Sequence, residues 1–99
     1  MTAVDELATV RTGDKGDTLI LGVIAHDQAA YGLLDTGLTG ERVAEHFGLS
    51  AAAVRRSELP GLRSFSFELS GMLGGGVTGS PSLDGHGKAL SYHLLTLQI

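Results

Sequence analysis

Cysteine is absent from this chain, which excludes disulfides, thiolate catalysis and any zinc or iron–sulfur site with cysteine ligands. Tryptophan is absent too, and three Phe and two Tyr are the whole aromatic complement, so there are few platforms on which bases could stack. Positive charge is scarce: seven Lys plus Arg stand against eleven Asp plus Glu, giving a formal net charge of −4. Affinity for a phosphate backbone depends on clustered positive charge, so no nucleic-acid partner is expected. Long apolar runs are missing as well. The longest, Leu19 to Ala25, falls far short of the roughly 20 residues that cross a bilayer, and MTAVDELATV has neither the basic start nor the apolar core of a signal peptide. The expectation is a cytoplasmic protein with no membrane partner.

What the chain does have is glycine, 15 residues in 99, together with 42% hydrophobic and 18% charged residues. That balance is globular, and the length suits one domain with a real core. The stretch around which the rest is organised is RTGDKGDT, residues 11 to 18. It sets Arg11, Asp14, Lys15 and Asp17 around Gly13 and Gly16, between two apolar segments expected to be strands. As a charged loop it permits two readings. Its glycines allow successive N–H groups to converge on an anion, with Arg11 and Lys15 adding charge. Equally, it can be a solvated turn whose aspartates bond their own backbone. Neither GxxxxGK[ST] nor GxGxxG occurs, so no nucleotide fingerprint applies.

In chain order, Glu6 to Val10 alternates loosely and reads as a first strand. LILGVIA is apolar at all but its glycine and rich in branched residues, as a central strand should be. Asp27 can cap DQAAYGLLDTGL, in which Ala30, Leu33 and Leu34 can share a face. Gly32 and Gly37 weaken that helix, which is expected to be short or broken. The next helix is better specified, with Thr39 as N-cap, Glu41 in the first turn, Val43, Ala44 and Phe47 on one face, and Gly48 as the stop. AVRRSEL and LRSFSFELS then form a hairpin about Pro60–Gly61, placed for a type II turn. In its second arm Phe65, Phe67 and Leu69 point to the core while Ser64, Ser66, Glu68 and Ser70 point away. GMLGGGVTGS, with five glycines, is a loop by composition, and Leu90, Leu94 and Leu97 recur with helical spacing in a closing helix that starts near Asp84. The order is ββααββα.

Catalytic chemistry finds little support in these residues. His26, His46, His86 and His93 show no metal-ligand spacing, so no metal and no cofactor are expected, although His86 between two glycines is the least unsuited to a ligand role. Ser80 and Ser82 lack a GxSxG setting. Asp14 and Asp17 form a carboxylate pair on paper, but with Lys15 between them they suit a charge network better than proton transfer. The backbone donors of Gly74, Gly75 and Gly76 could join Arg11, Gly13, Asp14, Lys15, Gly16 and Asp17 around a carboxylate or a coenzyme A phosphate if the two glycine-bearing stretches meet. Equally, the triple glycine can serve close passage of another backbone.

RTGDKGDTLILGVIAHD, LTGERVAEHFG, ELPGLRSFSFEL, GMLGGGVTGS and LDGHGKAL together resemble the small domain at the C-terminal end of acyclic terpene utilisation proteins of the AtuA type, a domain that also occurs as a separate short chain. The resemblance covers nearly the whole chain, and its glycine and charge patterns are its most specific part. It implies a two-layer, ferredoxin-like α+β sandwich with a mostly antiparallel four-stranded sheet and helices on one face. It also implies work beside a larger AtuA-type partner in acyl-CoA-linked catabolism of terpenoids or branched acids. The other readings are a free-standing enzyme or ligand-binding protein using RTGDKGD as its site, and a homo-oligomeric structural module. The hairpin face of Ser64, Ser66 and Ser70 with only Glu68 charged is cheap to desolvate, which points to association with that larger subunit or with a second copy as a homodimer.

Overall fold

The computed structural model describes residues 1–71 and 90–99. Four antiparallel strands form one sheet in the order β1-β2-β4-β3. They are β1 (Ala8–Lys15), β2 (Thr18–Ala25), β3 (Val54–Leu59) and β4 (Ser64–Leu69). Between the two hairpins run α2 (Gln28–Gly37) and α3 (Gly40–Phe47), after a one-turn α1 (Val4–Leu7). A helical stretch over 90–95 closes the chain.

Alternation along the strands divides the sheet into two faces. Leu19, Leu21, Val23 and Ala25 of β2 and Phe65, Phe67 and Leu69 of β4 are buried on one face, in a single cluster with Val4, Leu7, Ala30, Tyr31, Leu34, Val43 and Leu94 of the helical layer. Among the described residues the helices therefore lie on one side of the sheet, and the result is the expected α+β, ferredoxin-like arrangement.

Several local expectations give way. The first strand does not begin at Glu6. Val4 and Leu7, three apart, are both buried by one helical turn with Asp5 and Glu6 at its positive end, and β1 starts after it. The central helix α2 is unbroken across ten residues. Asp27 caps it by accepting from Ala30 N–H at 2.7 Å, and packing of Tyr31 and Leu34 outweighs the roughly 1 kcal/mol that each glycine costs a helix. Leu33 stands 55% exposed, while Tyr31 takes the inward position, stacked on Phe65 at 4.7 Å. The β3–β4 connection is not a type II turn. The last ladder pair is Leu59↔Ser64, which leaves four residues to span: Pro60–Leu62 as one 3-10 turn and Arg63 in the left-handed region at φ 49°. The α3 helix is as the sequence reads. Thr39 Oγ1 accepts from Arg42 N–H, and Gly48 ends it at φ 71°. Of the closing helix, residues 90–95 are helical and Leu94 is fully buried; its expected beginning, with the glycine-rich 72–80 stretch, lies outside the described residues.

Candidate functional site: an edge hairpin and an open sheet face

The charged stretch that reads as a loop is mostly strand. Arg11 to Lys15 pair in register with Gly22 to Thr18, and only Gly16 and Asp17 make the turn. Gly16 sits at φ 64° and Asp17 has no positive φ, the sign pattern of a type II′ hairpin, in which a first central glycine matches the twist of the strands. Gly13 adopts no positive φ, so its N–H belongs to an extended ladder and not to a converging nest. Dense charge is compatible with a strand here because β1 is an edge. Both of its sides can be wet, and charge on an edge discourages pairing with other chains. Residues 11–17 are all exposed.

Register assigns the expected site residues on β1 to its two faces. Ala8, Val10, Thr12 and Asp14 pair with the inward residues Ala25, Val23, Leu21 and Leu19, so they lie on the helix side. Thr9, Arg11, Gly13 and Lys15 lie on the opposite, open side. Arg11 and Lys15 thus share a face, whereas Asp14 is on the other and Asp17 is in the turn. Neither cation forms an ion pair among the described residues. Gly74, Gly75 and Gly76 fall outside the described residues, and so does the expected meeting of the two glycine-bearing stretches.

Across the open face the ladder aligns Thr9–Ile24–Ser64–Leu59, then Arg11–Gly22–Ser66–Ser57, then Gly13–Ile20–Glu68–Arg55. No described helix is in the core cluster on this side. Its centre is Gly22, Ser66 and Ser57, small and uncharged. Ser64 satisfies its own hydroxyl by donating to Leu62 C=O at 2.8 Å.

On the helix side, sequence reasoning missed Arg56. It occupies an inward position of β3, opposite Phe67, and its guanidinium lies 4.6 Å over the Phe65 ring. Nη1 donates to the carbonyls of Asp35 and Leu38 at the end of α2, and Nη2 to the Asp35 carboxylate at 2.5 Å, with Glu58 at 3.8 Å. A cation thus closes the negative end of the helix and shields the Tyr31–Phe65 stack. The available signal was a charged residue at a core-facing position between Val54 and Glu58. Burial, then Asp35 and Glu58, raise the Tyr31 phenol above its ordinary range, while Arg56 pulls the other way.

Two histidines far apart in sequence meet. His46 Nε2 lies 2.7 Å from His93 C=O and His93 Nε2 lies 2.9 Å from His46 C=O, with the rings stacked at 4.1 Å. Carbonyls only accept, so each ring carries a proton on Nε2. The pair cross-links α3 to the closing helical stretch, beside an open groove of about 500 Å³ lined by Arg42, Glu45, His46 and Leu97. His26 is exposed at the end of β2, and His86 lies outside the described residues. Among the described residues no group of three or more His, Asp or Glu is placed to hold a metal ion, and no helix is long and apolar enough to cross a membrane.

These features define a small open-faced α+β module with a charged edge hairpin. The family model of the AtuA ferredoxin-like domain matches residues 2–99, and the chain belongs to that family. No curated protein and no solved structure matches it.

Proposed function

We propose that the chain is the small partner subunit of a larger AtuA-type protein, acting in acyl-CoA-linked catabolism of terpenoids or branched acids, and that it docks through the open face of its sheet. The observation that carries this reading is that face itself: Gly22, Ser66 and Ser57 across its middle, Ile20 and Ile24 along β2, and cations on the edge strands β1 and β3, with Glu68 the one charge on an inner strand. Hydroxyl and glycine surfaces cost less to desolvate than charged ones, and a sheet face left to solvent ordinarily carries more charge. Light scattering of the purified chain mixed with the AtuA-type subunit of the same cell should register a complex, which Ser66→Lys at the centre of the face should abolish. A wild type that stays alone, or a mutant that assembles equally well, removes the basis for the reading.

A second reading rests on Arg11 and Lys15, which share that face with no ion pair among the described residues. With the turn N–H groups of Gly16 and Asp17 they would receive a carboxylate or the phosphates of a coenzyme A thioester. Phosphate or coenzyme A should then raise the melting temperature of the wild type but not of the Arg11→Ala/Lys15→Ala protein; equal shifts would overturn it.

A further inference from the structure

The open face changes character along its strands. At one end Ile24 is 36% and Leu59 42% exposed, in the row Thr9–Ile24–Ser64–Leu59, and the exposed Leu62 stands in the adjoining turn. Arg11 flanks the middle row on the edge strand β1, and Lys15 and Arg55 stand toward the other end, with Glu68 opposite Arg55 as the one carboxylate among the four strands' residues on this side. A chain of net charge −4 therefore presents three cations against one anion among the described strand residues of this face.

We infer that the occupant of this face is a different protein and not a second copy: its docking surface sets an apolar patch against Ile24 and Leu59 and a group of carboxylates against Arg11 and Lys15. The inference rests on the subunit reading and specifies the partner's chemistry. Symmetry argues against the homodimer. A two-fold contact sets the same patch on both sides, and sheets stack with their strands nearly aligned in the simplest case. A two-fold axis along the strands lays β1 over the partner copy's β3, so Arg11 and Lys15 meet Arg55 while water leaves and repulsion grows. An axis across the strands lays β1 over itself, which brings Arg11 toward its own equivalent and sets Lys15 against the Ile24 end. Neither arrangement is self-complementary. A partner with acidic groups at one end and apolar ones at the other matches both ends at once, and the charge also fixes which way round it docks.

The test is titration calorimetry of the chain against the purified AtuA-type subunit at low and high salt, with light scattering of the chain alone. The chain alone should remain monomeric, and binding should weaken with salt. Arg11→Glu with Lys15→Glu should raise Kd at least about tenfold and invert the salt dependence, because like charges then face each other and salt screens their repulsion. Thr12→Glu, on the other side of the same exposed strand, should bind as wild type, which separates a lost interface from a damaged hairpin. A wild type that dimerises, or one that binds with the double reversal and salt both without effect, overturns this inference while leaving the subunit reading intact. Absence of any binding by the wild type removes both.

Discussion

Arg56 concentrates more interactions than any other described side chain. Its stem and guanidinium cover Phe65, its N–H groups meet two carbonyls that α2 leaves unpaired, and its charge holds Asp35. Its side chain is 17% exposed, and Nε is buried with no partner. Arg56→Met keeps much of the apolar stem but strands the carbonyls, so we expect a loss of about 2 kcal/mol in denaturant unfolding, on the scale of buried hydrogen bonds to a charged group. Tyr31 gives a pH signature. Its phenol ionises at higher pH in the folded chain than in the unfolded one, so its contribution is fully present below the ordinary tyrosine value near pH 10 and is lost as pH rises through the folded-state value. Unfolding midpoints should therefore fall more steeply above about pH 10 in wild type than in Tyr31→Phe; parallel curves would show that the phenol does not feel its surroundings.

Helix α3 and strand β1 show what sequence makes visible at the level of an element. All the signals of α3 are local: a hydroxyl at the cap, a glutamate in the first turn, an apolar stripe and a left-handed glycine. Thr39→Ala should cost about 1 kcal/mol, measured by chemical denaturation, because one N–H of the first turn loses its acceptor. Of strand β1 only Ala8 to Val10 fell within the expected first strand, and its Arg11–Lys15 part was opaque because an edge strand needs no hydrophobic alternation. Arg11 to Lys15 are wet on both sides, so only pairing with β2 reveals that they are extended. The β3–β4 hairpin was legible in its arms, where Phe65, Phe67 and Leu69 alternate with serines, and not in its turn, whose length follows from where the ladder stops. The union of His46 with His93 was beyond reach for a similar reason. It depends on two helix ends 47 positions apart arriving side by side.

For the molecule as a whole, the polar face expected from Ser64, Ser66 and Glu68 is indeed the side of β4 away from the core, yet its position across the sheet came only with the order β1-β2-β4-β3. That order brings Arg11 and Lys15 onto the same surface, a link between hairpin and face that the linear chain does not announce. The two ends of the chain are joined as well. Thr2 and Ile99 exchange N–H···O=C bonds at 2.9 Å each, and Val4 N–H donates to Leu97 C=O at 2.9 Å. Ile99 packs on Gly37 so closely that a Cβ there would stand 2.9 Å from the Ile99 Cβ. Gly37→Ala should thus destabilise by about 1 kcal/mol despite alanine's better helix propensity, lowering the melting temperature by several degrees. A melting temperature equal to or above that of wild type would mean that the terminal isoleucine yields freely.

The paired ends have a mechanical consequence. Because the terminal segments run antiparallel, tension applied between residues 1 and 99 meets the bonds of Thr2, Ile99 and Val4 one after another, as in opening a zipper, and never loads them together in shear. A pull in that direction therefore meets little resistance from the clasp. An attachment through one end alone transmits no such load across the clasp, so a chain held at a single end keeps both its closure and its open sheet face unstrained.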